Sequence, residues 1–138
     1  MKTFSAEVVI QIPFHDVDVM EVAWHGHYAK YFELARGELL DVFDYNYAEM
    51  KASGYAWPVI DLQVKYVKSI AYQQMIKVVA TLVEYEHRLK IRYVITDEKS
   101  GVRLTKGHTT QVAVDMSSGD MCFVSPPILL QKLGVDDA

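Results

Sequence analysis

One stretch of this chain changes its hydrophobic period, and that change limits the folds open to it. From His27 to about Asp44, residues Tyr28, Phe32, Ala35, Leu39 and Phe43 recur at spacings of three and four, and Tyr31, Leu34 and Leu40 widen the stripe. An apolar stripe this broad and aromatic predicts a helix buried over much of its circumference, with Glu33, Arg36 and Glu38 on a narrow polar side. The flanking sequence alternates instead. Phe4, Ala6, Val8, Ile10, Ile12 and Phe14 fall on one face and Ser5, Glu7 and Gln11 on the other, the period-2 pattern of a half-buried strand. After the helix, alternation returns in 60–66, 76–83, 89–95 and about 102–115, punctuated by Ser53-Gly54, Trp57-Pro58, Ser100-Gly101 and Ser117-Ser118-Gly119-Asp120.

The predicted order is therefore strand, long helix, then four strands. Strands joined by short turns pair antiparallel, and one apolar helix must bury its stripe on a face of their sheet. The fold class is α+β: an antiparallel sheet of about five strands curled around one central helix. With 138 residues and 51% hydrophobic content, the chain suffices for one domain, read as 1–138, with a core that needs no disulfide or structural metal.

Composition also excludes functions. A formal charge of −4, from 14 basic and 18 acidic residues, argues against nucleic acid as a partner. The single cysteine, Cys122, rules out an intramolecular disulfide and a cysteine-based zinc site, and suits a reducing compartment. Glu7 interrupts any apolar leader core, and no uncharged apolar run approaches the roughly 18 residues of a membrane span. The expectation is a cytoplasmic protein without a membrane span.

The chemistry concentrates in Asp16–Tyr28, DVDVMEVAWHGHY, where strand hands over to helix. A helix N-terminus offers unsatisfied N–H groups and a positive dipole end, suited to a developing oxyanion. A nearby carboxylate can act as base or nucleophile, and a histidine can move protons or orient water. Bland readings stand beside these. Asp16 and Asp18 suit turns and caps, Glu21 suits a first helical turn, and His25 and His27 suit solvent or a backbone carbonyl. A metal held by Asp18, His25 and His27 is disfavoured because the spacing matches no strong ligand pattern.

Asp16 to Arg36, DVDVMEVAWHGHYAKYFELAR, resembles the signature of the 4-hydroxybenzoyl-CoA thioesterase family of the hotdog-fold superfamily. Asp16, Asp18, His25, Tyr28, Tyr31, Phe32, Glu33, Ala35 and Arg36 stand at matching spacings, and Val64-Lys65-Tyr66 and Lys106–Thr110 are similar to its later strands. The resemblance implies hydrolysis of an acyl-CoA or related thioester to a carboxylic acid and a thiol. Asp18 matches the catalytic carboxylate and His25 the histidine of the bacterial acyl-CoA branch. Backbone amides of Trp24, His25 and Gly26 would polarise the carbonyl. Asp16 matches a first acid of structural character.

Two positions depart from the pattern. Glu21 replaces a usual glycine three residues after Asp18, and a second carboxylate there would raise a pKa of the pair. Ser69 stands where many relatives carry proline. No cofactor is implied beyond CoA as part of the substrate, and the fold implies a homodimer or homotetramer. Lys65, Lys68, Arg88, Lys90, Arg92 and Lys106 are candidates for CoA phosphates or, equally, ordinary solvent-side residues. Met20, Trp24, Tyr47, Tyr55 and Trp57 are candidates for an acyl channel or for core. A carrier-protein thioesterase and a non-catalytic acyl-thioester binder are the alternative functions.

Overall fold

The computed structural model describes residues 3–135; the ends of the expected 1–138 domain lie outside them. Strand β1 (Ser5–Gln11) alternates exposed and half-buried positions as its sequence requires. It stops short of Phe14 because Pro13 removes a ladder donor, and Phe14–Asp16 close into a 3₁₀ turn. A second 3₁₀ turn, His25–His27, leads into α1 (Tyr28–Val42). Along α1 the residues Tyr28, Tyr31, Phe32, Ala35, Leu39 and Leu40 are buried, as their period demands.

Arg36 departs from its expected polar side. It is buried, its Nε donating to the Tyr47 hydroxyl at 3.0 Å and its Nη1 reaching the Tyr93 hydroxyl at 3.4 Å. A guanidinium can enter this core because hydroxyls from two other elements meet it there.

Next come α2 (Tyr47–Ala52), β2 (Tyr55–Ala56), β3 (Val59–Tyr66), β4 (Met75–Glu84), β5 (Leu89–Asp97), β6 (Arg103–Gln111), β7 (Val114–Asp115) and α3 (Pro127–Leu133). The sheet order is β1-β4-β5-β6-β3, antiparallel throughout, and β2 pairs separately with β7. The last predicted strand thus divides at Val112–Ala113 into β6 and β7. Consecutive β4, β5 and β6 are neighbours, whereas β3 and β4 are not. Helix α1 lies against β1 and β4, so the chain crosses the sheet through it and sets β3 on the far edge. This is the hotdog arrangement of a sheet around one long helix.

Contact between helix and sheet is tightest at Phe32. Its ring stacks on Tyr93 at 4.3 Å with planes 4° apart. On the neighbouring strand a Cβ at Gly107 would lie 2.2 Å from the Gln63 carbonyl oxygen and 2.8 Å from the Phe32 ring. Glycine is therefore the residue that lets β3, β6 and the helix close together. Among the described residues, no helix is long and apolar enough to cross a membrane.

Candidate active site

The loop before α1 is a tight hairpin. Val17 bridges Ala23, the Asp18 amide donates to the Val22 carbonyl at 3.0 Å, and the Glu21 amide donates to the Asp18 carbonyl at 2.9 Å. Closing this loop puts Glu21 at φ 61°, the left-handed position where such hairpins normally use glycine. The departure noted in the sequence is thus a backbone matter. Glu21 is exposed and does not line the pocket described below, so no second carboxylate joins Asp18 there.

Asp18 serves the turn and still retains acceptor capacity. Its Oδ1 accepts from the Met20 amide at 2.8 Å, an Asx turn that locks the side chain. Oδ2 carries no hydrogen bond among the described residues. Asp16 has a different task. It is 1% exposed and accepts from Lys30 Nζ at 2.6 Å and from the Tyr31 hydroxyl at 2.8 Å, tying the loop to α1. Burial alone would raise its pKa, but the Lys30 and Tyr31 bonds favour the anion more strongly and hold it below the usual carboxylate value. The same burial and the Asp16 charge push the Tyr31 phenol well above its ordinary range.

The helix start corrects one expectation. The Trp24 amide is committed to the Asp16 carbonyl at 2.9 Å, because that bond closes the loop, so it is no oxyanion donor. The His25 and Gly26 amides have no acceptor among the described residues, as expected for the first residues of a helix end. A Cβ at Gly26 would lie 2.2 Å from the Trp24 indole, so glycine lets that ring fold over the turn.

Sequence reasoning missed the far wall. Tyr66, the last residue of β3, donates its hydroxyl to the His25 carbonyl at 2.9 Å and meets the Tyr28 ring edge-on at 4.7 Å. Alternation did place Tyr66 on the same face as Val64, but nothing local ties it to a histidine 41 residues away. These groups enclose a pocket of about 310 Å³ lined by Asp18, His25, Tyr28, Tyr66, Lys68 and Ser69, among others. Asp18 and His25 therefore meet, and Ser69, the other departure, forms part of the wall. Such a space offers the Asp18 carboxylate, His25 with its free amide at the start of the helical turn, and a phenol ring wall, a set able to polarise a carbonyl and activate an attacking oxygen.

The five channel candidates, four aromatics and one methionine, do not form one channel. Tyr47, Tyr55 and Trp57 line a separate groove of about 270 Å³ with Met50 and Met116, while Met20 stands exposed at the loop tip. Among the described residues, no group of three or more His, Cys, Asp or Glu side chains could hold a metal ion.

Comparison with known proteins agrees with this architecture. A DHNA-CoA thioesterase from Staphylococcus aureus is 29% identical, superposes with a TM-score of 0.82, and covers 94% of this chain and 89% of its own. A hypothetical protein from Thermus thermophilus, TT1821, is 26% identical at a TM-score of 0.82, with 94% and 98% covered. The Synechocystis protein sll0410 is 27% identical over 128 residues, 92% of this chain and 77% of that one. The sequence profile of the thioesterase-like superfamily matches residues 12–133. A hotdog sheet around α1, the loop-to-helix pocket and this match together place the chain in the thioesterase-like superfamily, as a thioester hydrolase.

Proposed function

We propose that the protein hydrolyses an acyl-CoA thioester to a carboxylic acid and CoA in the Asp18–His25 pocket. One observation carries this reading: Asp18, whose Oδ2 is unpaired among the described residues, and His25, whose amide is unpaired like that of the neighbouring Gly26, border the same space. Likeness to a DHNA-CoA thioesterase supports CoA as the thiol. The two amides and the positive end of α1 would bind the carbonyl oxygen as it gains charge. Asp18 Oδ2 would take a proton from the attacking water, or attack the carbonyl carbon itself. In either route the carbon–sulfur bond breaks and the thiolate leaves; in the second, water then cleaves the anhydride left on Asp18, releasing the acid and restoring the carboxylate, with His25 orienting the water or moving the proton.

A homodimer is part of this proposal. Among the described residues strand β3 pairs only with β6, and its Val59, Ile60 and Leu62 are 42%, 57% and 44% exposed. Pairing two copies along this edge would satisfy its backbone and cover those side chains. It would also bring the second copy to the pocket mouth, since Tyr66 and Val67 lie at the same end of β3.

The test is thiol release from short, medium, long and aromatic acyl-CoAs by the native chain and by Asp18→Asn. Asparagine keeps an oxygen for the Met20 amide, so the loop survives while the base is lost. We expect saturable turnover that falls about 10²–10⁴-fold in the variant. Equal turnover in both would remove Asp18 from the mechanism.

A further inference from the structure

The fold sorts the six basic residues named above. Lys65, Lys90, Arg92 and Lys106 border a groove on the outer face of the sheet, and Arg88 pairs with Glu84 at 3.2 Å. Lys68 lines the thioester pocket instead, beside Ser69. Backbone bonds on both sides fix this pair. Strand β3 ends at Tyr66, and the Val67 and Lys68 amides both donate to the Leu104 carbonyl of β6, at 3.1 and 2.9 Å. Just beyond Ser69, Ile70 is fully buried and its carbonyl accepts from the Ala23 amide at 2.7 Å. Lys68 and Ser69 are thus held between the sheet and the hairpin that carries Asp18.

Among the described residues, Lys68 forms no ion pair, and neither the amide nor the hydroxyl of Ser69 has a hydrogen-bond partner. Two consecutive residues therefore bring an ammonium, an N–H and an O–H to the pocket with no acceptor in the chain. Asp18 borders the same space, but its carboxylate is tied to the Met20 amide and does not pair with Lys68. Glu21, the next carboxylate along the hairpin, does not line the pocket. A ligand carboxylate fits the unused set: two oxygens with about four acceptor sites can meet every donor, and the ammonium offsets the charge. A lone carbonyl oxygen has fewer acceptor sites and no charge to offset.

Size says where on the substrate that carboxylate sits. At about 310 Å³ the pocket is at the small end for ligand cavities, so a group that meets Lys68 and Ser69 lies within a few bonds of the reacting carbon. On the thiol side of that carbon, the pantetheine arm carries only neutral amides. On the acyl side the substituent can be an anion. Such an anion would be repelled by Asp18 and drawn to Lys68, which turns the carbonyl carbon toward Asp18. We infer that Lys68 and Ser69 receive a carboxylate at the far end of the acyl group, which makes the preferred substrates thioesters of short dicarboxylic acids. The inference rests on the acyl-CoA reading above and names the substrate class of that site.

The experiment compares kcat/KM for glutaryl-CoA with that for pentanoyl-CoA, and adipyl-CoA with hexanoyl-CoA, pairs of equal length in which a carboxylate replaces the terminal methyl. The native chain should prefer the acidic member of at least one pair about tenfold, the size expected for charge-assisted contacts open to solvent. Lys68→Met keeps the apolar stem without the charge and should erase most of that preference. Ser69→Ala, which loses only the hydroxyl, should reduce it about threefold, and Ser69→Pro, which loses the amide donor as well, should reduce it further. Both positions are exposed, so the variants leave the core intact. Raising ionic strength should shrink the native preference. No preference in the native chain overturns the inference. So does an equal loss on both members of a pair in Lys68→Met, which would assign the contact to the pantetheine arm. If the native chain hydrolyses none of the four thioesters, the hydrolase reading fails and calorimetric titration of the same four decides the inference by itself. Tighter binding of the acidic members that is lost in Lys68→Met sustains it, and equal binding overturns it.

Discussion

Replacing Glu21 by glycine should make this protein more stable. Glu21 sits at φ 61° because the three-residue loop between Asp18 and Val22 closes only with a left-handed residue at that point. A side chain there costs about 1–2 kcal/mol relative to glycine, from the clash of Cβ with the following carbonyl. Glycine gives back about 0.5–1 kcal/mol through its freer unfolded chain. The net gain is about 0.5–1 kcal/mol. An unfolding entropy near 2.1 cal/mol/K per residue over 138 residues converts this to about 2–3 °C in Tm. Differential scanning calorimetry of the native chain, Glu21→Gly and Glu21→Ala at one pH and salt decides the matter. Alanine removes the carboxylate but keeps the Cβ, so it should gain nothing. A gain in Glu21→Ala equal to that in Glu21→Gly would show that the charge was at fault, and a loss in Glu21→Gly would refute the loop argument.

Four further outcomes follow from the structure. Asp16→Ala leaves the buried Tyr31 hydroxyl without its acceptor and should lower stability by about 1–3 kcal/mol in urea titrations. Because the Asp16 pKa is depressed on folding, its contribution is fully present above the unfolded value near 3.8 and is lost as pH falls below it. Asp16→Asn should therefore flatten the fall of the urea midpoint on the acid side of about pH 4. Gly107→Ala forces a methyl toward the Gln63 carbonyl and the Phe32 ring and should cost about 3 kcal/mol, read as a Tm lower by about 10 °C. Tyr66→Phe keeps the ring against Tyr28 but drops the bond to the His25 carbonyl, so turnover should fall about tenfold with stability changed by less than about 1 kcal/mol. An unchanged turnover would remove Tyr66 from the site.

Some of what the sequence reading passed over was written locally. The α3 signal is Pro127 at its first position and Gly134, in the left-handed conformation, at its end. Asn46 three residues before Glu49 marks the start of α2 through its side-chain cap. Both helices are short, and their apolar residues are too few to establish a period. Arg36 was misplaced for a different reason. Helical spacing assigns a face by polarity, and only the Tyr47 and Tyr93 hydroxyls, brought from other elements, make a buried guanidinium tolerable.

Amino-acid order alone determined the succession of β1, α1 and the four long strands, the apolar part of the buried face of α1 and the alternation of the strands, because each depends on neighbours a few residues apart, while the resemblance to a family that uses glycine there pointed to strain at Glu21. Tertiary structure decided that β3 lies beside β6 rather than β4, that Tyr66 closes over His25, that the Trp24 amide is spent on Asp16, and that Lys65, Lys90, Arg92 and Lys106, scattered along the chain, border one groove. Those outcomes depend on which edge of the sheet the chain reaches after α1. That choice is made by burying one broad helical stripe against β1 and β4, a contact between residues far apart in sequence.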